Sequence, residues 1–160
     1  MSAFLSINSL SLFICRLGGI GRAPVAPGTC AAAVAALFAP WLFLPLSFGA
    51  RGILLAVIFL FGALVATRAE RCLEQKDPGQ VVIDELLGMW VVLWPFAQAS
   101  WTVIILAFIL FRIFDIAKVW PVKASETWLP NGFGVMADDV LAGVQAFLAL
   151  SLLVLFFGPF

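Results

Sequence analysis

Between Glu85 and Arg112 the chain runs for 26 residues without a charged side chain, and two adjacent carboxylates, Asp84 and Glu85, stand at the edge of that run. A stretch this long and apolar belongs in a bilayer or a fully buried core. An Asp or Glu in the hydrocarbon costs roughly 2.5–3.5 kcal/mol on insertion scales, so the acidic pair requires a reason. Composition decides the solvent. Of 160 residues, 64% are hydrophobic and 11% charged, against roughly 45–50% and about 25% in soluble domains. The sequence is that of an integral membrane protein. No polar linker is long enough to separate one core from another, so residues 1–160 are expected to form a single domain. With zero net charge and no basic tail, nucleic-acid binding has no electrostatic footprint.

The spans follow from where charges and helix breakers fall. Residues 1–15 are apolar but interleaved with Ser2, Ser6, Asn8, Ser9 and Ser11. That is short for a span of roughly 20 residues, and suits an interfacial or half-inserted helix. A loop from Arg16 to Thr29, with Gly18, Gly19, Gly21, Pro24, Pro27 and Gly28, forbids regular structure. Thr29 is expected to cap a helix running to about Leu46, kinked or ended by Pro40 and Pro45. A second helix is expected from about Ala50 to Glu74, and Asp77-Pro78-Gly79 turns the chain. The uncharged run is interrupted by Pro95-Phe96-Ala97-Gln98-Ala99-Ser100. It therefore reads as a hairpin, with helices over about Gln80–Trp94 and Trp101–Val119. A loop from Trp120 to Ala137 and a last span from Asp138 to about Phe157 complete the reading.

Charge asymmetry supports the hairpin. With it, Arg16, Arg22, Arg68, Arg71, Lys76, Arg112, Lys118 and Lys123 share one side and Arg51 alone takes the other. A single span would move Arg112, Lys118 and Lys123 across and erase the bias. The positive-inside rule then makes the charged side cytoplasmic, with all nine acidic residues on it. The expected fold is an all-α polytopic membrane bundle of about five spans, one pair forming a short hairpin, plus the interfacial N-terminal segment.

The chain has no histidine, and its cysteines, Cys15, Cys30 and Cys72, lack metal-ligand spacing. His general bases, phosphohistidine and His-ligated zinc are excluded. Chemistry is left to carboxylates, Arg, Lys and hydroxyls, a set that suits a hard cation such as Mg²⁺. Three acidic clusters meet on the charged side: Asp84-Glu85; Asp115, flanked at helical spacing by Arg112 and Lys118; and Asp138-Asp139, at the expected start of the last helix. Singly, each has a structural reading as a cap or an intrahelical ion pair. Together, five carboxylates on one face repel unless cations lie among them. Gly28 and Thr29, at a helix start with Arg22 nearby, form a candidate anion site. Gly88 lies one turn from Asp84 and allows close helix packing.

Four blocks together resemble the phosphatidylglycerophosphatase A family: Arg22-x-Pro24-x-x-Pro27-Gly28-Thr29; Val82-Ile83-Asp84-Glu85-x-x-Gly88; Phe111-Arg112-x-Phe114-Asp115-x-x-Lys118-x-x-Pro121; and Gly134-x-Met136-x-Asp138-Asp139-x-x-Ala142-Gly143. They occur in the family's order from about Gly18 to Gly143. The resemblance implies Mg²⁺-dependent hydrolysis of phosphatidylglycerophosphate to phosphatidylglycerol and inorganic phosphate, at the cytoplasmic face of a bacterial inner membrane. On that reading Asp84, Glu85, Asp138 and Asp139 hold the metal. Arg22, Gly28, Thr29, Arg112 and Lys118 hold the phosphate, while Asp84, Glu85, Asp115, Asp139 and Lys118 carry catalysis. Val119, Cys30-Ala31-Ala32 and Leu129-Pro130-Asn131 depart from the family pattern, and none touches the acidic core. Two rivals are a phosphatidyl-group transferase, whose Asp-x-x-Asp-Gly-x-x-Ala-Arg signature is missing, and a cation carrier, which would place its carboxylates near the bilayer midplane.

Overall fold

A computed structural model describes residues 2–125 and 128–158. Met1, the first residue of the expected interfacial segment, and Glu126, one of the nine acids, lie outside the described residues. Those residues are all-α: α1 (Ser2–Cys15), α2 (Pro27–Leu42), α3 (Phe48–Leu73), α4 (Ile83–Leu93), α5 (Trp101–Ala117), α6 (Val122–Ser125) and α7 (Gly132–Phe157), with a single 3₁₀ turn, Ile20–Arg22, before α2. The hairpin is present, α4 and α5 being joined across Pro95. Among the described residues, only α3 and α7 are long and apolar enough to cross a membrane by themselves. With 16, 11 and 17 residues, α2, α4 and α5 fall short of the roughly 20 that a full crossing takes.

Local chemistry explains most boundaries. Ser47 and Ser100 accept hydrogen bonds from the amides of Ala50 and Val103, capping α3 and α5. The expected cap at Thr29 is not used. Helix α2 begins three residues earlier than that cap implies, at Pro27, whose fixed φ suits the first helical position, after Ala26 turns the chain at φ 46°. Pro40 is carried inside α2, which ends at Leu42 rather than Leu46. The largest correction is at α7, which starts six residues before Asp138. Thr67 of α3 accepts a hydrogen bond from the Gly132 amide at 3.1 Å. A Cβ at Gly132 would stand 2.4 Å from the Ala63 carbonyl oxygen, so α7 starts directly on the α3 backbone. A cap supplied by another helix leaves no local sign. The expected loop from Trp120 to Ala137 accordingly shrinks and also contains α6.

Helix α4 is the central element, packed by α2, α3, α5 and α7. Leu87, Met89, Val92 and Leu93 are fully buried, and Trp90 stacks on Phe43 at 4.9 Å while its Nε1 donates to the Ala35 carbonyl. The alanine face of α2 (Ala31, Ala32, Ala35, Ala39) lets it lie close to α4. Outward, α3 and α7 present Ile53, Val57, Leu64, Leu152 and Leu155, an apolar exterior suited to lipid.

The tightest crossing is between α4 and α7. A Cβ at Gly143 would lie 2.6 Å from the Gly88 carbonyl oxygen, and one at Gly88 would lie 2.8 Å from the Asp139 carbonyl oxygen. The two backbones touch, as small residues permit in membrane helix pairs.

Arg51 is not the lone charge facing water that the loop count suggests. It is only 4% exposed. Its Nε donates to Leu46 O at 2.9 Å and its Nη1 to Trp94 O at 3.1 Å, with further bonds to the carbonyls of Leu44, Phe96 and Ala97. One guanidinium thus gathers the carbonyls that close α4 and those of the α2–α3 connection, where a cation complements the helix dipole.

Two variants test these contacts by thermal unfolding in detergent. Gly143→Ala is expected to destabilise by about 1–3 kcal/mol, the usual cost of overpacking, whereas Gly49→Ala, which meets nothing within 4 Å, is expected to be neutral or mildly stabilising. Arg51→Met is expected to cost about 3 kcal/mol or more, because several buried carbonyls lose their donor at roughly 1–3 kcal/mol each.

Candidate functional site

Asp84 and Glu85 occupy the first turn of α4, where the helix dipole favours negative charge. Asp139 lies two turns inside α7, about 10 Å from its start, not at its tip as expected. The Gly88–Gly143 crossing brings these acids together, because each glycine sits one turn beyond its aspartate, Gly88 after Asp84 and Gly143 after Asp139. Asp84, Glu85 and Asp139 each offer a carboxylate oxygen within 4.8 Å of the other two. Asp84 and Asp139 are 7% and 4% exposed. Asp84 Oδ1, Glu85 Oε2 and Asp139 Oδ2 are buried with no hydrogen-bond partner. Three converging carboxylates with unsatisfied oxygens are costly unless a cation joins them. Oxygen-only donors fit a hard divalent ion such as Mg²⁺.

Around this triad lie the other charges. Glu85 Oε1 rests against the first turn of α2, where a Cβ at Gly28 would come within 1.9 Å of it, so only glycine admits the carboxylate there. Arg112 Nη1 lies 4.0 Å from Glu85 Oε1 and 2.6 Å from Asp115 Oδ2. The Asp115 carboxyl in turn neighbours that of Asp139. Arg112 Nη1 is taken up by Asp115, while its Nε is buried without a hydrogen bond, which leaves that donor for an anion.

Asp138, expected among the metal ligands, does not join the triad. Its Oδ2 accepts a hydrogen bond from Lys118 Nζ at 2.9 Å, and its Oδ1 accepts the Asp139 amide. Neighbouring residues on a helix point about 100° apart, so one aspartate faces the triad and the next faces Lys118. Lys118 ends α5 in the left-handed conformation, at φ 45°. That turn breaks the expected single stripe of Arg112, Asp115 and Lys118. Arg22 lies exposed in the 3₁₀ turn before α2, and no ion pair among the described residues ties it to the carboxylates. Thr29 is half-buried in the first turn of α2.

Sequence reading missed Asp77, treated there as a solvated turn residue. It lines a polar cavity of about 180 Å³ with Lys76, Asn131, Gly134 and Asp138, beside the Lys118–Asp138 pair. The Asp77-Pro78-Gly79 turn carries no sign that α7 will fold against it.

The sequence has relatives among known proteins. Residues 13–154 match the family model for phosphatidylglycerophosphatase A. A Bacteroides thetaiotaomicron protein called "Putative phosphatidylinositol-3-phosphatase" is 40% identical over 83% of this chain and 86% of its own length. Phosphatidylglycerophosphatase A of Escherichia coli is 31% identical over 79% of this chain and 73% of its own. That of Haemophilus influenzae is 41% identical over 57% and 56%. No solved structure matches. The match takes in the Asp84-Glu85, Asp115 and Asp138-Asp139 clusters, and the chain belongs to the phosphatidylglycerophosphatase A family of lipid phosphatases.

Proposed function

We propose that this chain hydrolyses the terminal phosphomonoester of phosphatidylglycerophosphate, giving phosphatidylglycerol and inorganic phosphate, with Mg²⁺ held by Asp84, Glu85 and Asp139. The observation that carries the reading is the buried carboxylate triad with an unsatisfied oxygen on each member. Mg²⁺ bound there supplies positive charge opposite the phosphoryl oxygens and acidifies water. The protein's own role is to position and neutralise. Arg112, held by Asp115 through Nη1, keeps its Nε donor for the transferring group. Lys118, held by Asp138, supplies a second cation. Gly28 and Thr29 set the first turn of α2 against Glu85, so the positive end of that helix borders the phosphate, and Arg22 steers the anion in.

The same reading makes the chain one domain in a bacterial inner membrane with its site on the cytoplasmic face. Helices α2, α4 and α5 cross as short spans beside α3 and α7, five in all, and α1 lies in the interface. The eight basic residues assigned to one side support that orientation. The site is then recessed below the ends of α3 and α7, where a lipid headgroup reaches it.

The 40% identity to the Bacteroides protein favours a second substrate, a phosphorylated inositol lipid, for the same site. Phosphate release from phosphatidylglycerophosphate and from phosphatidylinositol 3-phosphate, assayed side by side in mixed micelles, decides between them. A higher kcat/KM on the inositol lipid would overturn the first assignment. Asp84→Asn and Asp139→Asn are each expected to lower kcat by on the order of 10²-fold or more, and a chelator is expected to abolish turnover until Mg²⁺ is restored. Asp138→Asn acts through Lys118 and is expected to cost less, about 10–100-fold. Equal losses in Asp138→Asn and Asp139→Asn would count against dividing the pair in this way.

A further inference from the structure

A groove of about 530 Å³ runs along the interior of the α3, α4 and α7 contact, within the size range of ligand pockets. Its upper walls are Leu87, one turn from Asp84 on the same face of α4, and Val140, next in the chain to Asp139. Its far end is lined by Phe48 and Trp94, whose rings stack at 5.1 Å and whose Trp94 Nε1 donates to the Phe48 carbonyl at 3.1 Å. A Cβ at Gly52 would lie 2.9 Å from the Trp94 ring, so α3 closes tightly on that end. Along α3 the groove extends from Phe59 to Phe48, eleven residues or about 16 Å. That is about half of a hydrocarbon core of roughly 30 Å, the depth of one leaflet. It opens sideways at Ala56 and Val144, both exposed.

We infer that this groove holds one acyl chain of the substrate lipid, so that the enzyme reads the tail as well as the phosphate. The inference rests on the lipid-phosphatase reading of the carboxylate triad. Two features separate the groove from ordinary lipid-facing surface. It begins at the residues flanking the triad, which matches an amphiphile with an anionic head and an alkyl tail. It also has a floor, whereas the outward faces of α3 and α5 are open ridges such as Val57, Ile109 and Ile113.

The test compares kcat/KM for dipalmitoyl and dihexanoyl phosphatidylglycerophosphate. Ala56→Phe places a ring across the side opening and is expected to lower the long-chain to short-chain ratio tenfold or more. Val57→Phe, which adds the same ring to the outward face of α3, is expected to leave the ratio within twofold. An unchanged ratio in Ala56→Phe, or equal falls in both variants, would overturn the proposal. A second readout does not depend on turnover. Phosphatidylglycerol carrying a photoreactive diazirine near the acyl terminus is expected to label residues 48–56, 94–95 and 144–147 of the wild-type protein. Labelling spread over the outward face of α5 would overturn the groove. If the wild type releases no phosphate from either lipid but labels the groove, the substrate assignment fails while the acyl site stands.

Discussion

The α4–α7 crossing at Gly88 and Gly143 is the contact on which the rest of the molecule depends. Neither glycine has room for a methyl group, because the opposing atoms are backbone oxygens at 2.6 and 2.8 Å from where a Cβ would stand. Helices that touch in this way gain dispersion and lose little side-chain entropy, which suits association in lipid, where apolar burial offers no solvent advantage. The spacing does the rest. An aspartate sits one turn from each glycine, so the closest approach of the two helices also becomes the closest approach of Asp84 and Asp139.

Bringing carboxylates together below the ends of α3 and α7 creates a repulsion that the fold offsets on three sides. Arg112 and Lys118 come from α5, the first turn of α2 abuts Glu85, and the triad retains unsatisfied oxygens that suit a hard cation. Each aspartate of the Asp138–Asp139 pair faces a different partner, which turns two adjacent identical residues into groups with different surroundings. At the opposite end of α4, Arg51 performs a purely structural task by satisfying carbonyls that lipid cannot. That cation is therefore buried among backbone carbonyls rather than set in water.

How much was legible depended on whether the signal was local. The apolar runs, the break at Pro95 and the lack of histidine are properties of short segments, and they led to the helices, the hairpin and the expectation of an oxygen-ligated metal. The four motif blocks led to the family. The cap expected at Thr29 was misplaced by three residues because Pro27 can also open a helix. The start of α7 was misplaced by six because its cap, Thr67, belongs to α3. Asp77 passed as a turn residue because nothing near it in the chain records the cavity that it lines with α7.

Sequence alone determined that the chain is helical, apolar outside, and equipped with carboxylates, Arg and Lys as its only strong chemical groups, since hydropathy, periodicity and residue type are carried by each segment independently. Only the tertiary structure decided which carboxylates converge. Asp84, Glu85 and Asp139 form the triad and Asp138 pairs with Lys118, because the α4–α7 crossing and the 100° rotation between neighbouring helix residues fix those directions. The apolar groove belongs to the same class of facts. It exists only as space between three helices, and no one of them encodes it.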